Sequence, residues 1–114
     1  MTGGGFDPAA ALARLRQAWS SETSSTWRAD NPALGQCNVT SLMLHRLQGL
    51  EMRKTRLPGG WHFYNWHEGA RLDLTTSQFT SPIPYDDFPA TVEEARRGAT
   101  SAELDALTTR YLRE

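Results

Sequence analysis

The spacing of apolar residues changes at Gly49, and this change limits the folds that the chain can adopt. Before Gly49, apolar residues recur every three or four positions, as they do on one face of a helix. After it come short segments rich in aromatic and apolar residues, separated by Pro58-Gly59-Gly60 and by Glu68-Gly69. Such segments are typical of antiparallel strands joined by tight turns. We therefore predict an α+β fold in which a small antiparallel sheet packs against a central helix, with further helices near both ends of the chain.

Two helices are predicted in the first half of the chain. Asp7 is a suitable N-cap for the first helix, with Pro8 at its first helical position. The second helix is predicted to start at Gln36 and to continue through an apolar stripe at helical spacing. That stripe consists of Val39, Leu42, Met43 and Leu47. Cys37 therefore lies in the first turn of the second helix.

The region after Gly49 is predicted to contain three strands and two short helices. The strands cover residues 50–57, 61–67 and 71–74 and form a meander. Residues 82–89 are rich in proline and are predicted to form an ordered loop. Each helix follows a capping box, in which a threonine and a glutamate three residues later satisfy backbone N–H groups. The two boxes are Thr91 with Glu94 and Thr100 with Glu103.

The length and composition are those of one globular domain. With 114 residues the chain can bury a single core, so we expect one domain over residues 1–114. A net charge of -1 leaves no basic surface for nucleic acid. No apolar run approaches the ~20 residues of a membrane span, and the first residues do not resemble a signal peptide. A single cysteine agrees with a reducing compartment. We expect a cytoplasmic protein with no cofactor and with no nucleic-acid or membrane partner, while its oligomeric state is not indicated.

Cys37 is the only cysteine of the chain, and its predicted position favours a reactive thiol. Backbone N–H groups in the first turn of a helix have no intrahelical partner, and the helix dipole is positive there, so a thiolate is stabilised. Cys37 also lies roughly 200° around the helix from Val39, away from the apolar stripe. The alternative is a buried cysteine with a purely structural role.

His62 and Asp73 are predicted to lie on one face of the sheet. If Glu68-Gly69 is a two-residue turn, residues whose numbers add to 137 face each other, and Tyr64 then pairs with Asp73. His62 is diagonal to Asp73, at roughly 7–8 Å between backbones, so their side chains can meet. The alternatives are a half-buried structural histidine and an aspartate that caps a turn. Together with Cys37, the pair predicts a triad of nucleophile, general base and orienting carboxylate.

The residues beside Cys37 are candidates for stabilising an oxyanion. Gln36 is the preferred donor, with Asn38 and the backbone N–H of Cys37 as alternatives. Asn65 could replace Asp73 as the orienting residue, but a regular strand directs it to the opposite face of the sheet. A zinc site built from the three residues of the triad is less favoured, because scattered ligands lack the paired spacing of structural zinc sites.

Four segments of the sequence resemble the YunG-like family of small bacterial proteins. They are residues 35–40 (GQCNVT), 60–65 (GWHFYN), 72–79 (LDLTTSQF) and 85–91 (YDDFPAT). The resemblance covers most of the chain from about Trp27 onward, and it implies kinship rather than a particular activity. The order of helix-borne cysteine, strand-borne histidine and strand-borne acid is also similar to that of the papain-like and transglutaminase-like superfamily. That similarity implies only the roles of the triad, since the Cys-Gly-Ser-Cys-Trp string of papain-type proteases is not present and Gln36 adjoins the cysteine.

The leading functional hypothesis is hydrolysis of an amide or peptide-type bond, or acyl transfer, by a thiol. Cys37 attacks a carbonyl, His62 moves the proton and Asp73 fixes the imidazole. The substrate, a small molecule or a peptide, is not indicated. The alternative is a non-catalytic binding or regulatory module on the same fold. We also expect residues 20–27 and 85–89 to border the cysteine pocket, because loops on a rigid scaffold commonly shape access to a site.

Overall fold

The computed structural model of the protein describes residues 5–113, and its helices lie where the sequence predicts them. Helix α1 spans Pro8–Ala18 with Asp7 as its N-cap, and helix α2 spans Cys37–Gln48. Helix α3 spans Val92–Arg96 and helix α4 spans Ser101–Arg113. Both predicted capping boxes are formed. The second helix, predicted to start at Gln36, starts one residue later with Gln36 as its N-cap, and the prediction that Cys37 lies in its first turn is confirmed.

The strands form one antiparallel sheet with the order β3-β2-β1-β4. The strands are β1 at Glu51–Leu57, β2 at Gly60–His67, β3 at Ala70–Leu72 and β4 at Phe88–Pro89. The predicted meander is confirmed, and so is its register, since Asn65 faces Leu72. Two details differ from the prediction. The third strand ends at Leu72 because Asp73 turns the chain by accepting a hydrogen bond from the N–H of Thr75. The predicted loop of residues 82–89 contains β4, which is too short to show a strand pattern in sequence.

The two faces of β1 and β2 are covered by different parts of the chain. The face toward α2 carries Met52, Phe63 and Asn65, and the other face carries Thr55, His62 and Tyr64. Asn65 Nδ2 donates to the backbone oxygen of Ser41 in α2 at 3.2 Å. The loop of residues 73–87 covers the other face, where the His62 ring packs edgewise on Phe79 at a centroid distance of 4.9 Å. The α2 face is therefore part of the apolar core, while the loop face carries the polar residues.

The core lies between α2, the adjacent face of the sheet, α1 and α4. Its fully buried apolar side chains include Leu15, Val39, Met43, Leu44 and Leu107. Burial of this apolar area is the main source of folding free energy for a domain of this size. Within residues 5–113, no helix combines the length and the apolar character that crossing a membrane requires.

Candidate active site

Cys37 is the first residue of α2 and is partly exposed. Its placement depends on the turn before the helix, where Gly35 has a φ of 75°. A Cβ atom on Gly35 would lie 1.8 Å from Thr26 Oγ1, so both the backbone conformation and the available space require glycine. The N–H groups of the first helical turn, including that of Cys37, have no intrahelical acceptor. The thiol is therefore held at the positive end of the helix dipole.

His62 lies on β2 where this strand has a neighbour on one side only. β3 pairs with residues 65–67, so within residues 5–113 the 60–64 part of β2 has β1 on one side and no strand on the other. Asp73 follows directly after β3 and reaches the imidazole, with 2.7 Å between His62 Nε2 and Asp73 Oδ2. The side chains of His62 and Asp73 are only 3% and 5% exposed. The contact on which the triad prediction depends is present.

The carboxylate of Asp73 is held at both oxygens. Oδ2 accepts a hydrogen bond from the Tyr85 hydroxyl at 2.7 Å, in addition to its contact with His62. Oδ1 accepts from the backbone N–H and the hydroxyl of Thr75, both at 3.2 Å. Burial, together with the hydrogen bond to Asp73, raises the pKa of Tyr85 to about 12, so its hydroxyl remains a donor at neutral pH. Contacts from several directions fix the orientation of the carboxylate and hence of the imidazole.

The imidazole of His62 and the thiol of Cys37 line the same cleft, and the thiol is one of the groups that raise the pKa of His62. Because Nε2 faces Asp73, Nδ1 is the ring nitrogen left for the thiol. Burial lowers the pKa of His62, but the hydrogen bonds and charges of Asp73 and Cys37 outweigh it and raise the pKa to about 9. The ring is therefore mainly protonated at neutral pH, and its positive charge favours a thiolate beside it. In its thiol form, Cys37 donates to Asn38 Oδ1 at 3.2 Å.

The two amide side chains beside Cys37 differ in whether they have a free donor. Asn38 Nδ2 donates to the backbone oxygen of Ala95 at 2.9 Å, which ties the start of α2 to α3. Gln36 is fully buried, and its Oε1 accepts from the Thr23 hydroxyl at 2.9 Å. Its Nε2 is also buried but has no hydrogen-bond partner within residues 5–113. A buried donor without an acceptor is rare and calls for a physical explanation. Of the two predicted amide donors, Gln36 is the one whose amide nitrogen has no hydrogen-bond partner within residues 5–113.

Cys37 and His62 open onto a cleft of about 420 Å³. Its lining consists of Cys37, Leu57, Pro58, Gly59, Gly60, Trp61, His62, Gln78, Phe79 and Ile83. The prediction that residues 20–27 and 85–89 border the pocket is wrong, because neither segment lines the cleft. The turn between β1 and β2 takes that place, since it extends the sheet beside the start of α2. The two segments instead support the site from outside the cleft, where Thr23 contacts Gln36 and Tyr85 contacts Asp73. Gln36 itself does not line the cleft either.

Two alternatives from the sequence remain, namely Asn65 as the residue that orients the imidazole and a metal site. Asn65 lies on the sheet face opposite His62, as expected, and donates to backbone oxygens of Ser41 and Glu51 at 3.2 and 3.3 Å. It is therefore not the residue that orients the imidazole. No group of three or more His, Cys, Asp or Glu side chains in the described part of the chain is arranged to hold a metal ion.

Sequence reasoning gave no individual role at the triad to Gln78, Phe79 and Tyr85. Gln78 fastens the loop to the turn before α2, because its Nε2 donates to the backbone oxygen of Thr75 at 3.1 Å and its Oε1 accepts from the N–H of Gly35 at 3.4 Å. The turn cap that the sequence offered as the alternative role of Asp73 is also present, since Asp73 accepts from the backbone N–H of Thr75 two residues later. Nothing local in the sequence marks Tyr85, which arrives from 12 residues further along the chain.

The comparisons with known proteins agree with the resemblance seen in the sequence. The family model described as "YunG protein" matches residues 7–114. A protein of Bacillus subtilis (strain 168) described as "Uncharacterized protein YunG" is 43% identical over 81 residues, which cover 71% of this chain and 70% of the relative. No solved structure matches the chain significantly, so the similarity to papain-like enzymes has no support from these comparisons. Since the family model spans nearly all of the chain, the protein belongs to the YunG protein family.

Proposed function

We propose that the protein is a thiol-dependent hydrolase or acyltransferase that acts on an amide or peptide-type bond. The observation that carries the proposal is the buried pair of His62 and Asp73, with 2.7 Å between Nε2 and Oδ2, whose imidazole lines the same cleft as the thiol of Cys37. A nucleophile, a general base and an orienting group in this order are what covalent catalysis by cysteine requires. The order of these residues along the helix and the sheet is also similar to that of papain-like and transglutaminase-like enzymes, which adds an analogy of roles only.

The first half of the proposed reaction acylates the cysteine. In the resting site the thiolate of Cys37 lies beside the protonated His62 ring, and it adds its electron pair to the carbonyl carbon while the C=O π pair moves to oxygen. When the carbonyl reforms, the C–N bond breaks, and the imidazolium gives its proton to the leaving amine. The product is a thioester on Cys37 and a free amine. Asp73 takes no proton in these steps; it holds the ring by the 2.7 Å contact and stabilises its charged form.

The second half of the reaction releases the acyl group. Water or a second amine attacks the thioester carbon while His62 accepts its proton. The C–S bond then breaks, which regenerates the thiolate beside the protonated ring. Water as the acceptor gives hydrolysis, and an amine gives acyl transfer. The geometry of the triad is the same for both outcomes.

Gln36 is the proposed oxyanion donor. Its buried Nε2 has no acceptor within residues 5–113, although it adjoins the nucleophile in sequence. An unsatisfied buried N–H costs ~1–3 kcal/mol of stability, and a negative oxygen formed in the reaction would satisfy it. The backbone N–H of Cys37 at the start of α2 is the second donor, because a helix end leaves it unpaired. A small rotation of the amide toward the cleft is needed, since Gln36 does not line it in the resting state.

The pH dependence of thiol alkylation tests the proposal. We expect Cys37 to react with iodoacetamide well below the ~8.5 at which an ordinary thiol ionises, because the protonated His62 ring lies beside it. His62→Gln should move the reaction to higher pH while keeping a donor toward Asp73. His45→Gln is the matched control, because His45 is exposed and its ring contacts the backbone of Leu50 rather than the triad.

The alternative of a binding or regulatory module predicts a different result. In that case Cys37 reacts as an ordinary thiol, and wild type and His62→Gln have the same pH profile. Incubation with p-nitrophenyl acetate then supplies the second readout. The enzyme proposal predicts release of p-nitrophenol and a transient acetyl adduct on Cys37 seen by mass spectrometry, both of which disappear in Cys37→Ala. A reactive thiol that never becomes acylated contradicts acyl chemistry.

A further inference from the structure

We propose that the cleft beside Cys37 selects substrates that carry an uncharged, apolar group next to the reacting carbonyl, of about the size of an aromatic side chain. This inference rests on the proposed function, since it names the substrate class for the same site. It is drawn from the composition of the cleft wall and from the way in which the polar groups of that wall are already occupied.

The wall of the cleft is apolar apart from the reacting groups. Two elements supply it: the turn between β1 and β2 with Leu57, Pro58 and Trp61, and the loop of residues 73–87 with Phe79 and Ile83. None of the lining residues is Asp, Glu, Lys or Arg. A charged substrate group placed here would lose its hydration without gaining an ion pair.

The polar lining residues do not offer a second recognition site. Gln78 is the only amide in the wall, and both ends of its side chain are already used within the protein, by the backbone oxygen of Thr75 and the N–H of Gly35. His62 Nε2 is engaged by Asp73. The polar groups left for a substrate lie at the reacting end, namely the thiol of Cys37, the ring nitrogen beside it and the proposed oxyanion donors. One polar end and one apolar wall describe a carbonyl attached to an apolar group.

Apart from the protonated His62 ring at the reacting end, the positive charges near Trp61 lie outside the wall. Lys54 Nζ and the Arg56 guanidinium stand 4.5 and 5.4 Å from the centroid of the Trp61 ring, and neither residue lines the cleft. Lys54 also forms an ion pair with Glu94. Their contacts with Trp61 help to hold the indole in place, because cations over an aromatic face are attracted to it. Trp61 is nevertheless 41% exposed, so part of its surface remains to be covered by a bound group.

The size of the cleft limits the group that fits. Its volume of about 420 Å³ equals roughly 14 times the ~30 Å³ that a water molecule occupies in the liquid. A benzyl group with the attached carbonyl fits within this volume. Because binding removes the apolar surface of such a group from water, we expect about a ten-fold or greater gain in reaction efficiency.

Three iodoacetamides test the inference on the full-length protein. Iodoacetamide, its N-benzyl derivative and its N-(4-carboxybenzyl) derivative deliver the same reactive carbon with no group, an apolar group and a charged group of similar size. Each rate is divided by that for glutathione, which removes intrinsic differences between the probes. We expect the N-benzyl probe to saturate and to react at least ten-fold more efficiently than the other two. Ile83→Ala should reduce this preference several-fold, while Leu112→Ala, an exposed position on α4, should change neither the preference nor the iodoacetamide rate.

The outcomes separate this inference from the proposed function. If alkylation of Cys37 depends on His62 but shows no preference for the benzyl probe, or prefers the carboxybenzyl probe, the inference of an apolar substrate group is wrong. The proposed function is not affected by that result. A benzyl preference that is lost in Ile83→Ala supports the cleft even if the rate is independent of His62, in which case the proposed function fails alone. If Ile83→Ala does not fold, Leu57→Ala on the opposite wall gives the same comparison.

Discussion

The two faces of the central β-hairpin are built from alternating residues of the same strands, yet they have different chemistry. His62 and Phe63 are neighbours in β2 and are both nearly buried. Phe63 faces α2 and belongs to the apolar core. His62 faces the other way and contacts Asp73. Strand alternation thus places a stabilising residue and a reactive residue one position apart.

The difference between the faces comes from what covers them. A helix covers one face, and because its backbone is largely hydrogen-bonded internally, contacts there are mainly apolar, with the bond from Asn65 to the backbone oxygen of Ser41 as an exception. A loop covers the other face, and its carbonyls, hydroxyls and carboxylates need partners. Thr55 and Tyr64 supply such partners: the Thr55 hydroxyl donates to the backbone oxygen of Pro84 at 3.0 Å, and the Tyr64 hydroxyl donates to Asp87 at 2.8 Å. Buried polar groups that are almost fully paired give the triad a rigid support.

The largest effect is expected on the loop face at His62. Replacing His62 by Gln should lower the alkylation rate of Cys37 at pH 7 by ~10²-fold or more, because a neutral amide neither accepts the thiol proton nor supplies a positive charge. The alkylation rate is measured by quenching the reaction at timed intervals and quantifying the modified protein by mass spectrometry. Circular dichroism should show an unchanged fold. An alkylation rate of His62→Gln within two- to three-fold of the wild-type rate would contradict the claim that the loop face, unlike the core face, determines the reactivity of Cys37.

Replacement of Phe63, the neighbour of His62 on the core face, should change the stability of the protein and not the reactivity of Cys37. Phe63→Ala should lower the free energy of unfolding by ~3–5 kcal/mol, since it removes a buried aromatic ring and leaves a cavity against α2. Urea denaturation measures this loss. At temperatures where the variant is still folded, the pH profile of Cys37 alkylation should match that of wild type. A shifted profile would show that the core face and the site are coupled.

Gln36 allows the acylation step to be separated from alkylation. Gln36→Met should lower the rate of acylation by p-nitrophenyl acetate by ~10²-fold or more, because an oxyanion forms in that reaction. Alkylation by iodoacetamide forms no oxyanion, so its rate should stay unchanged. The unfolding free energy should change little, because the variant loses the hydrogen bond to Thr23 but also the unpaired Nε2. Equal losses in both reactions would assign Gln36 to holding Cys37 in place.

The stability of the protein should depend on pH through His62. Its pKa rises from 6.5, the value for the unfolded chain, to about 9 in the folded protein, so between these values the folded state holds a proton that the unfolded state has released. The stabilisation is complete below about pH 6.5 and is lost as the pH rises through about 9. Urea midpoints at several pH values should show this fall, and His62→Gln should show a smaller one. If the urea midpoint falls by the same amount in wild type and in His62→Gln, His62 is not the group that causes the pH dependence of stability.

The smallest effect is expected from Tyr85. Tyr85→Phe removes one of two donors on Asp73 Oδ2 and should cost about 1 kcal/mol of stability. Because the hydroxyl competes with His62 for the same oxygen, its loss should raise the pKa of His62 further, as measured by NMR titration of the ring protons. A lowered pKa would show instead that Tyr85 acts mainly by holding Asp73 in position.

Local patterns in the sequence were sufficient for the parts of the site that depend on neighbouring residues. The start of α2 at Cys37 follows from an apolar stripe, and the register that brings Asp73 to His62 follows from a two-residue turn. Contacts between distant segments could not be read in this way. Tyr85 approaches Asp73 from a proline-rich loop that has no periodicity, and β4 is a strand only because β1 offers it an edge.

The burial of Gln36 illustrates the same limit at a single residue. Sequence reasoning treated it as a polar neighbour of Cys37, but the direction of its side chain is decided by Thr23, a residue in another loop. An N-cap position is normally occupied by a side chain that caps the helix, and Gln36 does not do so. Only the packed structure reveals which of its polar atoms is left without a partner.

The hydrogen bond from Asn38 to the backbone oxygen of Ala95 has a practical consequence for protein engineering. A methyl group added to Gly98 would lie 2.6 Å from the same Asn38 amide, so the end of α3 has room for hydrogen at this position and for nothing larger. Helix α3 contributes no residue to the cleft, yet it holds the side chain next to the nucleophile. A smaller catalyst made by shortening the chain as far as α3 would therefore lose a contact that holds the start of α2.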